Sequence, residues 1–418
     1  MRTDSGGYVS GTTLTGDGGA AAREPALSIR DLSVVYRTVN GDVRAVADVT
    51  LDLHAGEVLG LVGESGSGKS TLAYGATRLL RAPALITGGS VIYRGRRMSG
   101  PVDILGLTPD QLASLRWREI AIVFQSAMNA LNPVLSVSDQ LTDVIRRHLR
   151  TPRPEAVQRA GKLLDLVGIP RARLRSFPHE LSGGMRQRVM IAMALATDPE
   201  VVIMDEPTTA LDVVVQREIL GQIMELRDTL GFSILFITHD LSLLLEIADR
   251  VAVMYGGQMM EVGSAEQIHH EPSHPYTKRL LRAFPSLHGP RKRLAGIPGT
   301  PPDLLSPPPG CPFLERCLDG TEKCKEIEVR LLPVRTSADP RHQTACPFIL
   351  PDQPDDEGGT PGDGARPAVA VPTVDLSSAG LSSASVSPDG GSPDGGSPDG
   401  PAAESVAVIQ PGSEERAQ

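Results

Sequence analysis

A glycine-rich run in the first quarter of the chain has the residue types needed to bind phosphate. Residues 63–71 read GESGSGKST and match the pattern G-x-x-x-x-G-K-[ST], between an apolar stretch, EVLGLV, and a helix-like stretch, STLAYGATRLL. Backbone N–H groups of such a loop bind phosphate oxygens, the Lys69 ammonium binds the β- and γ-phosphates, and the Ser70 hydroxyl ligates Mg²⁺. We name residues 63–71 the phosphate loop. Its predicted nucleotide-binding residues are Gly63, Glu64, Ser65, Gly66, Ser67, Gly68, Lys69, Ser70 and Thr71.

A pair of carboxylates follows another apolar stretch later in the chain. The run VVIMD, residues 201–205, ends on Asp205, and Glu206 comes next. Open α/β sheets bind their ligands at the carboxyl ends of the strands, so Asp205 can hold Mg²⁺ through water. Glu206 can act as the general base that polarises the attacking water. The alternative is an acidic pair that simply ends a surface strand.

The elements around these motifs show two kinds of hydrophobic pattern. Alternating runs from residue 26 onward predict an antiparallel β layer. The continuous apolar runs 201–205 and 233–238 predict strands covered on both faces, as in a parallel α/β sheet. Residues 155–169 and 184–197 predict helices, the second with Ser182 as N-cap and one apolar stripe.

The composition limits where the chain works and what it binds. No apolar run approaches the roughly 18–20 residues that cross a bilayer, and the N-terminus has no apolar core typical of a secretory signal. We therefore expect a cytosolic chain. The net charge of the chain is −9, and residues 351–418 alone have twelve acidic residues and two arginines, so that their charge of −10 exceeds the total. The remainder is close to neutral, which argues against a nucleic-acid partner.

The run LSGGMRQR, residues 181–188, resembles the signature of the ABC ATPases, and residues 27 to about 265 match the ABC pattern. The resemblance implies an α/β P-loop NTPase fold of ABC type, with a RecA-like parallel-sheet core, an antiparallel β layer and a helical subdomain. It implies ATP as the nucleotide. The predicted segments are a disordered tail at 1–24, an ATPase domain at 25–287 with its helical subdomain at about 126–190, a C-terminal extension at 288–350, and a disordered acidic tail at 351–418.

The same resemblance assigns roles to single residues outside the phosphate loop. Tyr36 matches the aromatic residue that stacks on adenine, although a core strand tyrosine is the alternative. Gln125 matches the glutamine that contacts Mg²⁺ and the attacking water, and His239 matches the histidine that contacts the γ-phosphate. Asp212 matches the loop that crosses a dimer interface. With Glu206 and Lys69, the residues Gln125 and His239 complete the predicted catalytic set.

The signature also predicts a dimer. Ser182, Gly183 and Gly184 open a helix and present a hydroxyl, backbone N–H groups and a positive dipole end. In the ABC family this end faces the γ-phosphate bound by the opposite subunit. Because the chain has one copy of each motif, the resemblance implies a second ATPase subunit, with a paralogous chain and hence a heterodimer as the expectation.

A narrower resemblance points to the oligopeptide/dipeptide importer ATPases. It rests on FQSAMNALNP (124–133), on HPYTKRLL (274–281) and on Met185 after the signature glycines, which resembles the first of two subunit types. It implies peptide uptake with two transmembrane permeases and an extracytoplasmic substrate-binding protein, at the cytoplasmic face of the membrane. Nickel or sugar importers share these motifs.

Two soluble classes of ABC ATPase are weaker alternatives. Translation ATPases usually carry two cassettes in one chain, whereas this chain has one. DNA-repair ATPases need a long coiled coil between phosphate loop and signature, and only 112 residues separate Ser70 from Ser182, without sustained heptads.

Four cysteines lie close together near the C-terminus, with the spacing C-x5-C-x6-C-x21-C. A cytosolic location argues against disulfides, and zinc sites normally use C-x2-C pairs. Four thiolates in a loop-rich segment suit an iron–sulfur cluster, and the importer resemblance implies a 4Fe–4S cluster in some members. Zinc and packed free thiols remain alternatives. The residues are Cys311, Cys317, Cys324 and Cys346.

Overall fold

The structure is a computed structural model. The residues that it describes are 24–125, 130–209, 211–283 and 296–348. All of them belong to one compact unit, Met1–Pro351, and a second unit, Asp352–Gln418, contains no described residue. The tails predicted to be disordered therefore lie outside the described residues, except for Glu24.

An antiparallel sheet of four strands forms the N-terminal layer, as the alternating pattern predicts. Its order is β2–β1–β4–β5, and the two long strands pair along most of their length. Their inward side chains are buried, which makes this sheet one wall of a hydrophobic core. The strands are β1 (Pro25–Thr38), β2 (Gly41–His54), β4 (Ala84–Tyr93) and β5 (Val102–Asp103).

A second sheet has eight strands and positions the phosphate loop. Its strands are β3 (Val58–Val62), β6 (Ile120–Val123), β7 (Val201–Asp205), β8 (Ser233–Thr238), β9 (Arg250–Tyr255), β10 (Gln258–Ser264), β11 (Leu332–Pro333) and β12 (Gln343–Thr344). The order is β11–β12–β10–β9–β3–β8–β7–β6, parallel from β9 to β6. Strands β3, β7 and β8 are neighbours and buried along their whole length, which confirms for β7 and β8 the prediction of strands covered on both faces. Their carboxyl ends therefore meet at one edge.

Nine α-helices are present in the described residues. They are α1 (Lys69–Ala76), α2 (Pro109–Leu115), α3 (Val137–Leu149), α4 (Arg153–Leu166), α5 (Gly183–Ala194), α6 (Val213–Leu230), α7 (Leu241–Ile247), α8 (Ala265–His270) and α9 (Pro275–Arg282). None of these described helices has the length and apolar character to cross a bilayer.

The two helices predicted from periodicity are present with shifted ends. Helix α4 begins two residues before the predicted start. Helix α5 begins at Gly183 with Ser182 as N-cap, because the serine hydroxyl accepts the Met185 N–H. The prediction of a single apolar stripe on α5 is too narrow, since the six consecutive residues 189–194 are all buried. Neighbouring elements enclose the second half of this helix on every side.

The described part of the C-terminal extension, residues 296–348, contains little regular structure. It has single 3₁₀ turns and the two-residue strands β11 and β12. Strand β12 pairs with β10 and adds the extension to the edge of the eight-stranded sheet.

Candidate active site

The phosphate loop connects the end of β3 to the start of α1. Gly66 and Gly68 have φ angles of 76° and 100°, a region that residues with a Cβ rarely adopt. A side chain at Gly68 would also collide with the Ala45 carbonyl oxygen. Backbone conformation and close packing therefore both require glycine at position 68, which is the N-cap of α1.

Lys69 lies inside the phosphate loop with its ammonium group turned toward the loop backbone. Its Nζ donates to the carbonyl oxygens of Gly63 and Glu64, both at 2.8 Å, and lies 3.3 Å from the Ser67 hydroxyl. Burial lowers the pKa of Lys69, and the nearby Glu206 and Asp205 carboxylates oppose this shift. The ammonium is thus a buried donor that phosphate oxygens can engage.

Asp205, at the end of β7, is fully buried and receives two hydroxyl hydrogen bonds. Ser70 Oγ donates to Oδ1 at 3.0 Å and the Tyr74 hydroxyl donates to Oδ2 at 2.6 Å. Burial raises the pKa of Asp205 against the effect of these hydrogen bonds. The arrangement brings together two predicted Mg²⁺ ligands, and hard oxygen donors of this kind fit Mg²⁺.

Sequence reasoning missed Tyr74 as a partner of Asp205. The tyrosine follows Ser70 by four residues on helix α1, so both side chains lie on the same face. That spacing was available in the sequence and could have indicated the contact.

Glu206 is the centre of a second polar cluster, next to Asp205. Its carboxylate accepts from Gln125 Nε2 at 2.8 Å and from the Thr209 hydroxyl at 3.0 Å, and lies 3.3 Å from His239 Nδ1. Burial acts to raise the pKa of Glu206, but hydrogen bonds from these three side chains outweigh it and lower the pKa. The carboxylate is therefore ionised at neutral pH, as a general base must be.

The structure thus brings together three of the predicted catalytic residues. Gln125, Glu206 and His239 come from three separate parts of the chain, and each follows a strand of the eight-stranded sheet. Thr209 is an additional partner that sequence reasoning missed. Glu206 itself has a φ of 46°, a strained conformation of the kind that occurs at functional sites.

Two further predicted site residues, Tyr36 and Asp212, are not part of the cluster around Glu206. The Tyr36 hydroxyl is 3.2 Å from the Thr71 hydroxyl, so the tyrosine lies next to the phosphate loop. Asp212 caps helix α6 by accepting from the N–H groups of Val214 and Val215. This contact gives Asp212 a structural role within the chain, and its predicted role at a dimer interface stays a prediction.

The signature residues Ser182, Gly183 and Gly184 occupy the start of α5. Within the described ranges, no hydrogen bond connects them to the phosphate loop. Their predicted role toward a second subunit's nucleotide stays a prediction.

One phosphate-loop residue has a partner that no sequence pattern indicated. The Glu64 carboxylate pairs with Arg316 of the extension, at 2.8 and 3.1 Å. The two residues are 252 positions apart, so no local periodicity or motif could have joined them.

The four cysteines of the extension are close together. All four line one cavity of about 20 Å³, which has room for one water-sized sphere. Burial raises the pKa of Cys311 to about 12 and that of Cys346 to about 11, so both are neutral thiols. Among the described residues, no set of three or more His, Cys, Asp or Glu side chains is arranged as a metal site. The predicted cluster is therefore not confirmed.

Comparisons with known proteins identify the family. The family model for the ABC transporter matches residues 46–209, and the model for the oligopeptide/dipeptide transporter C-terminal region matches residues 260–324. The oligopeptide transport ATP-binding protein OppD of Escherichia coli is 46% identical over 300 residues, which cover 71% of this chain and 87% of OppD. The dipeptide transport ATP-binding protein DppD of Bacillus subtilis is 42% identical over 326 residues, 77% of this chain and 94% of DppD. The chain belongs to the ABC transporter family.

Within the ABC family, the chain groups with the oligopeptide and dipeptide transport ATP-binding proteins, as the narrower resemblance predicts. A solved dimeric structure of the ATP-binding cassette MJ0796, bound to ADP and phosphate, matches 57% of this chain and 98% of its own. Its TM-score is 0.51 and its sequence identity is 26%. The predicted ABC-type fold is confirmed, and the chain is an ABC-type ATPase.

Proposed function

We propose that this ATPase hydrolyses ATP to drive the uptake of peptides by an ABC importer. The observation that carries the proposal is the ionised Glu206, held by Gln125, Thr209 and His239 beside the phosphate loop. The match of residues 260–324 to the oligopeptide/dipeptide transporter C-terminal region supports peptides over the alternatives, nickel and sugars.

The proposed chemistry assigns one task to each residue. Lys69 and the loop N–H groups bind the phosphates, and Lys69 stabilises the charge that develops on the γ-phosphoryl group. Glu206 accepts a proton from the attacking water, which Gln125 and His239 orient. Ser70, Gln125 and Asp205 would hold Mg²⁺, which neutralises phosphate charge when it is bound.

The proposed site is completed by a second ATPase chain, which we expect to be a paralogue. The signature residues 182–184 make no hydrogen bond to their own phosphate loop within the described part of the chain, and the similar MJ0796 cassette was solved as a dimer. Two permeases and an extracytoplasmic binding protein complete the proposed complex. The chain would then be peripheral, at the cytoplasmic face of the membrane.

Uptake measurements test the substrate class. A strain that lacks this chain should regain uptake of a labelled dipeptide or pentapeptide with the parent chain and not with Glu206→Gln. Membrane proteins should co-purify with both chains, because the substitution keeps the surface unchanged. Restored uptake of nickel or of an oligosaccharide, without peptide uptake, would contradict the assignment of peptides as substrates. It would not contradict the assignment of ATPase activity.

The cysteine site is a separate part of the proposal. We propose that Cys311, Cys317, Cys324 and Cys346 bind a 4Fe–4S cluster, with zinc as the alternative. The support is that all four side chains line one cavity. Burial raises the pKa of the Cys311, Cys317 and Cys346 thiols, whereas a bound cation would lower it and keep the thiols deprotonated. Metal binding would then be coupled to the folding of this segment.

Anaerobic purification and metal analysis test the cysteine site. We expect about four irons per chain and a broad absorbance near about 400 nm, both lost in Cys324→Ser. The matched control is Ser306→Ala, a small polar residue of the extension outside the cavity lining. About one zinc per chain without iron would favour zinc, and no metal at all would leave packed thiols.

A further inference from the structure

The Glu64–Arg316 pair connects the extension to the phosphate loop through charged hydrogen bonds. Arg316 Nη1 donates to one carboxylate oxygen of Glu64 at 2.8 Å and Nη2 to the other at 3.1 Å. Such a two-pronged arginine–carboxylate pair fixes orientation as well as distance. The Arg316 side chain is 5% exposed and that of Glu64 is 24% exposed, so solvent screens the pair little.

Arg316 also has partners in the extension and on strand β9. Its guanidinium also donates to the backbone oxygens of Pro298 and Ile297 at 2.9 and 3.0 Å, and to the Tyr255 hydroxyl at 2.9 Å. The guanidinium carbon lies 5.6 Å from the centre of the Tyr255 ring. Two of these hydrogen bonds go to the backbone of residues 297–298. The position of the Arg316 guanidinium therefore depends on the position of that part of the extension.

Glu64 is held at three points, each by a different part of the chain. Arg316 holds the carboxylate, the Tyr276 hydroxyl accepts the Glu64 N–H at 3.0 Å, and Lys69 donates to the Glu64 carbonyl oxygen. The backbone of Glu64 therefore connects directly to the lysine that binds phosphate.

A second contact joins the extension to the same loop. Pro301, Pro302 and Leu304 line a small cavity together with residues 64–67 of the phosphate loop. The Leu304 carbonyl oxygen also accepts the N–H of Arg44 on strand β2. The extension therefore covers one side of the loop as well as pairing with it.

We infer that Arg316 is a positioning residue for ATP binding, which it promotes by neutralising Glu64 and fixing the conformation of the phosphate loop. Without Arg316, the Glu64 carboxylate is an unpaired negative charge next to the site of a polyphosphate, and it repels the ligand. Through this pair, the order of the extension influences ATP affinity. The inference rests on the proposed ATP site at residues 63–71.

The test compares full-length variants for ATP affinity, by titration calorimetry, and for the KM and kcat of ATP hydrolysis. Arg316→Met keeps the side-chain stem and should weaken ATP binding about threefold to thirtyfold, the range typical of residues that influence a site without touching the ligand. We expect the change mainly in KM. Arg316→Lys retains the charge and should retain most of the affinity.

The double variant Glu64→Gln/Arg316→Met separates this role from general damage. Removing the unpaired carboxylate should recover part of the affinity lost in Arg316→Met. Arg341→Met is a control for the loss of an arginine–carboxylate pair of the extension away from the loop, because Arg341 pairs with Asp339 at 2.9 Å, although the Arg341 side chain is more exposed than that of Arg316. It should leave KM unchanged.

Two outcomes would overturn the inference. The first is an affinity within twofold of the parent in folded Arg316→Met, or in Arg316→Gln, which also removes the charge, if Arg316→Met does not fold. The second is that the double variant recovers none of the ATP affinity lost in Arg316→Met. That result would mean that the loss comes from structural damage to the extension. Lys69→Ala distinguishes the inference from the proposed site, since unchanged affinity in Lys69→Ala would contradict the ATP site itself.

Discussion

The phosphate loop and the C-terminal extension are held in place in different ways. The loop lies between a buried strand and a helix, and its shape follows from its own glycines. The extension has almost no regular structure in its described part, and it is attached by polar contacts, by the pairing of β12 with β10 and by the buried Phe313 ring, which contacts Tyr255 and Tyr276. We therefore expect substitutions in the loop region to affect chemistry, and substitutions at those attachments of the extension that do not contact the loop to affect stability.

One attachment of the extension is a buried cluster around Glu261 of strand β10. Its carboxylate accepts the N–H groups of Ser273 and His274, at 2.6 and 2.9 Å, and lies 2.9 Å from His342 Nε2. Glu261 and His342 are both fully buried. A buried carboxylate is costly unless it is fully hydrogen-bonded, so His342 is a required partner.

The largest expected effect tests the loop side of the comparison. Glu206→Gln should reduce ATP turnover about 10²- to 10⁴-fold, because it removes the base while keeping the shape. ATP binding should persist, and an ATP-bound dimer should accumulate. Steady-state hydrolysis and size-exclusion chromatography with ATP measure both effects. Near-normal turnover would contradict the assignment of Glu206.

Lys69→Ala should weaken ATP binding about tenfold to hundredfold, because charge-assisted hydrogen bonds to phosphate are lost. Calorimetric titration with ATP measures the affinity, and Lys162→Ala on helix α4, outside the site, is a control of the same residue type. Equal affinity in Lys69→Ala and parent would contradict this site.

His342→Leu tests the attachment of the extension. It leaves Glu261 without one hydrogen bond and should cost about 1.5–3 kcal/mol of unfolding free energy. The control is Lys325→Met, which breaks an exposed pair with Glu322 and should cost less than about 1 kcal/mol. Urea denaturation gives both values. A loss of ATP turnover in His342→Leu without a change in stability would contradict the expectation that this attachment of the extension affects stability and not chemistry.

The smallest expected effect concerns the C-terminal tail. Deleting residues 351–418 should leave ATPase activity and permease assembly unchanged, because the sequence has no apolar periodicity and its acidic Ser-Pro-Asp-Gly repeats favour solvation. Activity and co-purification of the truncated chain measure this. Loss of assembly would reveal a docking role.

The sequence by itself determined the parts whose physics is local. The glycine pattern and its flanks indicated the phosphate loop, because positive φ angles and a helix N-terminus depend on neighbouring residues. Continuous apolar runs indicated β7 and β8, since a strand covered on both faces needs no polar side. The order of these elements placed Asp205 and Glu206 at the carboxyl edge of the sheet.

Only the tertiary structure decided which distant side chains meet. The pairs Glu261–His342 and Glu64–Arg316 join residues 81 and 252 positions apart. Hydrophobic periodicity states which face of an element is buried, but a hydrogen bond depends on the relative placement of two elements to within a fraction of an ångström. That placement follows from the packing of the whole sheet and of the extension against it.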